Sequence, residues 1–572
     1  MHTEPQGLGA LDAASVEELV RLQAADVLGL RRVEASENFF NLGGDSVRAG
    51  RLVMRLAKAL PREAEVDLQD VFAAGDFREL ARQVSSRLGG GESIAEPGVT
   101  VAHSQEDDLL TTPTASSGQG GRRPVPLSYG QLRRLQRDAD SGGSRIAHHV
   151  SRTFRVHGRL DLKALQAAAH ALVERHESLR TVFDLDSRRG AHSAQRVDSC
   201  HLDLSRLFTV RRLPSSAVAQ EEATVERVAL FNLSTEAKIR ILVLLDDTAA
   251  TLVVTAEHLV CDGDSFTVLL RELAALYKAN LGTGQPFGGL AALPPRCWAE
   301  EEGTLHLPAL ERRLDHWRTR LDPLEALPEV RLTGMRDPAV WPTTAAQVHG
   351  RLPAYVVRRL RETCATRSST LFSGFVAALA MAVLADTGHT VPGLVSPTSG
   401  RPPGWEDEVD WFATSVIHRF RINTQLSVSD VLDSAKQSVA SGIANAVPLP
   451  LLLEHLQFNR DLEQRWRPWL YLAVDSEEES PLPLHGVEVE SPVADARLAL
   501  RAGLTVRIEI RREAGQDLDA AVQFQYEQEV WSAARAEAFM QTLLDMAALV
   551  AENPSDIDVA TLLRTRRPQV VQ

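Results

Sequence analysis

The sequence predicts a multidomain protein: a small all-α bundle of about four helices, then a large unit of mixed α/β character. Three observations carry this. At 572 residues the chain is too long for one hydrophobic core. A stretch over 89–123 breaks the apolar patterning. Before that break the apolar period is helical throughout, and after it both helical and strand periods occur.

The small unit covers residues 10–88. "SVEELVRLQAADVLGL" starts with Ser15 placed as an N-cap and Glu18 three residues on, a capping box ahead of a helical apolar stripe. A loop, "ASENFFNLGGD", leads into a second helix, "SVRAGRLVMRLAKAL". "LQDVFAAG" and "FRELARQVSSRL" then give a short and a longer helix. Residues 89–123, "GGGESIAEPGVTVAHSQEDDLLTTPTASSGQGGRR", are rich in Gly, Ser, Thr and Pro. They bury too little apolar surface to offset chain entropy and read as a flexible linker.

In the large unit "HHVSRTFRVHG" and "ATLVVTAEHLV" read as strands. "LKALQAAAHALVERH" and "RAEAFMQTLLDMAALVAEN" carry helical stripes. "SSTLFSGFVAALAMAVLADTG" is apolar nearly all round and predicts a buried helix. No repeat of 20–50 residues is visible, and the mixture points to α/β or α+β lobes rather than a sandwich or a bundle.

Composition narrows the function. A hydrophobic share of 44% and a charged share of 24% are those of a globular protein with enough to bury. A formal charge of −14 opposes nucleic acid as a main partner. No run of 18 apolar residues predicts a membrane span, and "MHTEPQGLGALD" lacks the basic flank and apolar stretch of a signal peptide. Cys200, Cys261, Cys297 and Cys364 are far apart with no Cys-x-x-Cys pair, so neither a disulfide framework nor a zinc site is expected. The reading is a cytoplasmic protein. The preponderance of arginine over lysine suggests a GC-rich, bacterial genome.

"FFNLGGDSVRAGRL" is the most specific stretch. Gly43 and Gly44 permit a tight turn, Asp45 can cap the next helix, and Ser46 stands at that helix's N-terminus. A phosphodiester there would meet free N–H groups and the positive end of the helix dipole, whereas Ser46 could equally be a second capping residue. The stretch resembles the peptidyl carrier signature of nonribosomal peptide synthetases. That resemblance implies that Ser46 carries 4'-phosphopantetheine, installed by a separate phosphopantetheinyl transferase, and through it an acyl or aminoacyl thioester.

Carriers of this kind are followed by condensation domains, whose central motif is His-His-x-x-x-Asp-Gly. Here it reads Glu257-His258-Leu259-Val260-Cys261-Asp262-Gly263. "PLSYGQLRRLQ", with Ser128 and Gln131, "RHESLRTVF" from Arg175 to Phe183, "SPTSGRPPGWEDEVDWFATSV" with Arg401, and the closing strand and helix also resemble the family's motifs in order, over roughly 124–566. The resemblance implies two chloramphenicol-acetyltransferase-like lobes, 124–300 and 301–566, with a tunnel between them.

It also implies roles. His258 would be catalytic, accepting a proton from the attacking amine or hydroxyl or stabilising the tetrahedral intermediate. Asp262 would hold the loop by pairing with an arginine, Arg401 first and Arg180 second. Gly263 would keep the tunnel floor open. Glu257 replaces the family's first histidine. Either it hydrogen-bonds backbone or an arginine behind the strand, or its charge biases His258 toward the protonated form.

Further departures are "PPRCW", which keeps only Trp298 of its motif, Thr414 in place of an asparagine, and "ANAVPLP", which keeps Pro448. His148-His149 lacks the Asp-Gly and reads as structural. Asp264-Ser265 reads as turn chemistry, with no serine-hydrolase context.

The leading expectation is an acyl or peptidyl transferase forming an amide or ester. No adenylation domain is encoded, so loading would come in trans or from an upstream protein. The acceptor would be another carrier or a free small molecule. The methionine start and short tail favour a complete protein. The alternative is a catalytically silent platform that recruits partner proteins. An epimerase is a lesser possibility, because Phe266 stands where that class has tryptophan.

Overall fold

The structure, a computed structural model, describes residues 13–89 and 122–561, less 29, scattered positions between 40 and 73, and 141–147, 185–192, 283–288, 295, 304–306, 322–329, 337–344, 403, 457–468, 479–481, 491–503, 514–515 and 553–557. Almost all of the linker 89–123 therefore lies outside the described residues, as do Asp45 and Ser46. The chain divides into two compact units, 1–123 and 124–572.

In the first unit α1 (Ala13–Leu28) buries Val16, Val20, Ala24 and Leu28, a four-residue spacing that aligns them on one face. That face packs on α2 (Phe77–Gly89), which buries Leu80, Ala81 and Val84. Ser15 is not an N-cap: α1 already runs through it from Ala13, since two alanines favour the helix. Between these elements Ala49, Leu52, Val53, Arg55, Leu56 and Ala59 are helical, as the period predicts.

The second unit opens with β1 (Arg122–Val125), α3 (Tyr129–Asp140) and β2 (His149–His157). It continues through α4 (Leu162–Arg175), β3 (Thr181–Asp184), β4 (Ser193–Val197) and β5 (Phe208–Arg212). Next come α5 (Ser216–Val228), β6 (Ile239–Leu245), β7 (Ala250–Glu257) and α6 (Gly263–Asn280). After α7 (Trp298–Gly303) and α8 (Leu307–Arg320), β8 (Ala345–Pro353) leads into α9 (Ala354–Thr366) and α10 (Leu371–Thr387). The chain then forms β9 (Gly393–Thr398), β10 (Thr414–Arg419), α11 (Val428–Ala444), α12 (Leu449–His455) and β11 (Leu470–Glu478). It closes with β12 (Glu488–Glu490), β13 (Leu504–Glu513), β14 (Gln516–Glu527) and α13 (Ala533–Glu552).

The first large sheet has the order β12-β2-β7-β6-β5. β7 is antiparallel to both β2 and β6, and β5 runs parallel to β6, with α5 in the crossover between them. Leu242, Leu244 and Val253 face Ala219 and Ala223 of α5. Ile241, Val243, Leu252 and Val254 join Leu165, Leu172, Leu269 and Leu273 of α4 and α6 in the main core. Both faces are covered, which is why β6 and β7 read as unbroken apolar runs.

The second sheet has the order β10-β9-β11-β13-β14-β8. Its core takes in α9, α10, α11 and α13. α10 is buried along nearly its whole length, as its all-round apolar sequence predicts. A Cβ on Gly374 would lie 2.7 Å from the Cys364 sulfur, so the glycine allows α9 and α10 to approach closely. No single described helix is long and apolar enough to cross a membrane.

The halves are not consecutive blocks of chain. β12 returns to pair with β2, Glu488 opposite His157 and Glu490 opposite Arg155. Leu482 and Leu484 enter the first core with it.

Candidate active site

The site in the second unit is built at the end of β7, where the strand gives way to the loop before α6. His258 N–H donates to the His148 carbonyl at 3.0 Å, which extends the pairing of β7 with β2 by one residue. Side chains alternate along both strands. His258 therefore shares a face with His148, and Glu257 shares the other with His149, its direct cross-strand partner.

On the first face the imidazoles of His258 and His148 stack, with centroids 4.3 Å apart and planes 21° apart. Trp411 meets both edge-on, 4.9 Å from His258 and 6.2 Å from His148. Burial pushes the His258 imidazole below its ordinary range. Its own main-chain hydrogen bond and the charges of Asp262 and Glu257 oppose this, while Arg134 adds to the lowering. The ring is thus biased to the neutral form, able to accept a proton. Glu257 raises the value as expected of a neighbouring anion, but burial outweighs it.

On the opposite face Glu257 is buried, with its Oε2 3.4 Å from His149 Nε2. His149 Nδ1 lies 3.1 Å from the Arg227 carbonyl at the end of α5. A histidine thus faces Glu257 behind the strand.

Asp262 is the N-cap of α6. Its Oδ1 accepts the Ser265 N–H at 2.8 Å, and its Oδ2 accepts the N–H groups of Phe412 and Ala413, each at 2.9 Å. The Arg401 guanidinium lies 3.6 Å from Oδ1 and forms closer bonds elsewhere: the Trp405 and Glu408 carbonyls at 2.6 Å and Ser265 Oγ at 2.7 Å. Arg180 does not reach Asp262. It donates to the carbonyls of Val173 and Glu174 in the last turn of α4 and of Val197 at the end of β4. A Cβ at Gly263 would meet nothing within 4 Å, so the glycine leaves space open beside the cap.

Ser265 does more than shape a turn. It is fully buried, and its hydroxyl donates to the Asp410 carbonyl at 2.7 Å. Asp410 is buried as well and paired with Arg196 at 3.0 Å. Burial raises the Asp410 carboxyl, opposed by Arg196. Asp264 accepts the Ser399 hydroxyl at 2.6 Å. Segment 399–413 is thereby fastened to the end of β7 and the start of α6.

The other motifs support this corner. Ser128 and Gln131 cap α3 reciprocally, Ser128 N–H to Gln131 Oε1 at 3.0 Å and Gln131 N–H to Ser128 Oγ at 3.2 Å. Gln131 Nε2 then donates to the Leu259 carbonyl at 2.8 Å, one residue past His258. Arg175 and His176 both bind Glu272 of α6, at 2.8 and 2.7 Å, which ties α4 to α6. Trp298 packs on Trp405 and Phe412. Thr414 Oγ1 donates to the Val447 carbonyl at 3.2 Å and accepts the Leu449 N–H at 3.0 Å, so the departures at Thr414 and around Pro448 meet in one hydrogen-bonded turn. Phe266 is buried in the core.

Three site residues escaped the sequence reading. In the sequence His148 reads as structural, and nothing in "DEVDWFAT" marks Trp411 or Asp410. The signal for His148 was the strand alternation itself. Asp198, Cys200 and His201 also come together, on an exposed turn, with ligand atoms within 4.8 Å of one another. Nothing beside their proximity points to an ion.

In the first unit the described residues of the loop before Ser46 are tied to the bundle. Phe77 and Arg78 N–H groups donate to Glu37 and Ala35 carbonyls at 3.1 and 2.9 Å, and Asn38 Nδ2 donates to the Gly75 carbonyl at 2.8 Å. Phe39 is buried edge-on to Phe77, 6.4 Å between centroids. Gly44 N–H donates to the Phe39 carbonyl at 3.0 Å, and a Cβ on Gly44 would overlap the Phe39 ring. Phe39 and Gly44, tied to each other and to the bundle, fit a serine that presents a covalently attached arm. Ser46 itself lies outside the described residues.

Residues 122–566 match the family model of the condensation domain, and 18–84 match that of the phosphopantetheine attachment site. The chain belongs to the condensation-domain family and joins that domain to an N-terminal carrier domain of the class that bears phosphopantetheine on a serine. This is a carrier–condensation arrangement of nonribosomal peptide synthetases. Over 565 residues the chain is 27% identical to a probable non-canonical nonribosomal peptide synthetase, CymA, of Salinispora arenicola, covering 94% of this chain and 7% of that one. It is 26% identical to nonribosomal peptide synthetase kk1B of Curvularia clavata, covering 75% and 3%. It thus spans less than a tenth of either relative. The X-domain from teicoplanin biosynthesis superposes with a TM-score of 0.64 at 21% identity, covering 78% of this chain and 98% of that one. The condensation domain from the monacolin K polyketide synthase MokA gives 0.64 at 17%, covering 77% and 99%. Both likenesses speak for the fold.

Proposed function

We propose that this chain is an acyl or peptidyl transferase that passes a carrier-bound thioester to an amine or alcohol, with His258 as the catalytic group and Ser46 as the phosphopantetheine-bearing serine. The observation that carries the reading is His258 itself: biased to the neutral form by burial and walled by His148 and Trp411. Asp262 is engaged by three main-chain N–H groups and acts as the clamp. A bound phosphopantetheine supplies a thiol that holds the acyl group as an activated thioester. Because that ester is already activated, placement of the nucleophile matters more than strong acid or base help. His258 takes the nucleophile's proton or orients it while the new C–N or C–O bond forms. The bound arm would supply the thiol that leaves as the C–S bond breaks, with the proton that His258 has taken. Arg401 and Arg180 hold the surrounding loops, Glu257 backs the strand, and Gly263 leaves room beside the cap.

The reading takes the carrier as 10–88, the linker as 89–123, and the two lobes as 124–300 and 301–566, with the stretch from Leu482 to Glu490 crossing back to the first. It also takes the protein as bacterial and cytoplasmic. Its partners would be a phosphopantetheinyl transferase, a loading enzyme acting in trans or upstream, and an acceptor carrier or free nucleophile.

Mass spectrometry on the protein carrying a loaded Ser46 arm, offered amines, alcohols or an aminoacyl carrier, tests it with His258→Ala alongside. Histidine-dependent transfer is expected. No transfer to any acceptor would sink the enzyme reading and leave the recruiting platform.

A further inference from the structure

We propose that His148 is a positioning residue for His258: its imidazole covers one face of the His258 ring, holds that ring against Trp411, and competes with His258 for a proton. The inference rests on reading His258 as the acyl-transfer histidine.

The geometry leaves His258 little freedom. Its main-chain N–H is fixed to the His148 carbonyl at 3.0 Å, one ring face is stacked at 4.3 Å, and Trp411 closes on it at 4.9 Å and 61°. Rotation of the imidazole would break the stack and the edge contact together. An orientation fixed in this way aims the ring nitrogens before substrate arrives.

Charge points the same way. Among the described residues, the groups facing His258 are His148 just before β2, Glu257 beside it on β7, Asp262 from the cap of α6 and Arg134 from α3, with uncharged Trp411 from the 399–413 segment. Glu257 is faced by His149, Asp262 by main-chain N–H groups, and Arg134 is paired with Asp138 at 2.9 Å. His148 is the neighbouring imidazole, a second ring that can hold a proton beside His258. Two imidazolium rings stacked at 4.3 Å repel, so the pair holds one proton readily and a second with difficulty.

The test uses the full chain with 13C-labelled histidine, as wild type, His148→Phe and His148→Ala, and with His258→Gln to assign the His258 resonance. Phe keeps a stacking face but binds no proton. The His258 titration midpoint and the acid limb of kcat/KM are both expected to rise in His148→Phe, by roughly half a pH unit or more. In His148→Ala kcat is expected to fall roughly tenfold to a hundredfold with KM little changed, and His148→Phe to recover most of that loss. A His258 titration in His148→Phe that superimposes on wild type, or an unchanged kcat in His148→Ala, overturns the inference. If His148→Ala fails to fold, the Phe variant decides alone. If His258→Gln transfers acyl groups at the wild-type rate, the acyl-transfer reading of His258 falls, and the titration still decides whether the two rings share a proton.

Discussion

Asp262 accepts the main-chain N–H groups of Phe412 and Ala413 at 2.9 Å from 150 and 151 residues away, and the Ser265 N–H at 2.8 Å with its other oxygen. One buried carboxylate therefore ends β7, starts α6 and pins the segment that carries Trp411 against His258. An asparagine there turns one acceptor into a donor that faces N–H groups. Asp262→Asn should lower the stability of the second unit by about 1–3 kcal/mol for each partner lost, and lower transfer with it. His258→Ala should abolish transfer with little change in melting temperature. Thermal unfolding followed by tryptophan fluorescence, beside the transfer assay, separates the clamp from the catalyst. Equal melting points in the two variants would contradict the division of roles.

Behind the strand, Glu257 and His149 form a buried pair, 3.4 Å apart, one contact from the site but on the opposite face. Removing either side chain takes away the group that the other faces in a dry setting. Glu257→Gln and His149→Asn should each cost about 2–4 kcal/mol. The double variant should cost less than the sum, with a coupling of roughly 1–3 kcal/mol by denaturant unfolding. The acid limb of the transfer profile should move only slightly in Glu257→Gln, since burial dominates His258. A shift comparable to that of His148→Phe would make Glu257 a tuning residue after all.

Much of this was legible in the sequence because side-chain identity and period encode it. The apolar runs of β6 and β7, the all-round apolar α10 and the break at 89–123 announce themselves. The Glu257–His258 motif marks the site's centre. What stayed hidden depends on main-chain donors and register. The Phe412 and Ala413 N–H groups carry no signature in residue type, so Asp262 looked like an arginine's partner. Arg180 found carbonyls nearer than any carboxylate. His148 looked inert because its motif lacked Asp-Gly, yet pairing His149 with Glu257 places it on His258.

His418 offers a pH test outside the site. It is fully buried on β10, with its Nε2 2.7 Å from Ser396 Oγ, and burial lowers its pKa to about 4. The unfolded chain binds a proton there near pH 6.5, while the folded protein refuses it until about pH 4. The stabilising contribution is therefore complete above pH 6.5 and is lost as pH falls toward 4. Over that window it amounts to roughly 2–4 kcal/mol. His418→Gln should flatten the pH dependence of denaturant unfolding in this range. An equally steep dependence in the variant would assign the acid sensitivity to other groups.

The carrier loop provides the last prediction. Gly44 donates its N–H to the Phe39 carbonyl at 3.0 Å and sits so close to the Phe39 ring that any Cβ overlaps it. Phe39 is itself buried on Phe77, so it has no room to withdraw. Gly44→Ala must therefore move the loop two residues before Ser46. Overpacking of this kind costs about 1–3 kcal/mol, and the displaced turn presents Ser46 poorly to a phosphopantetheinyl transferase. The time course of phosphopantetheine attachment, followed as the mass gain of the full chain, should slow severalfold in Gly44→Ala. Phe39→Leu in the same chain should recover part of the loss, because it removes the ring overlap but not that with the Phe39 carbonyl. Attachment at the wild-type rate in Gly44→Ala would mean that the transferase tolerates a moved loop, and that Gly44 serves the stability of the bundle alone.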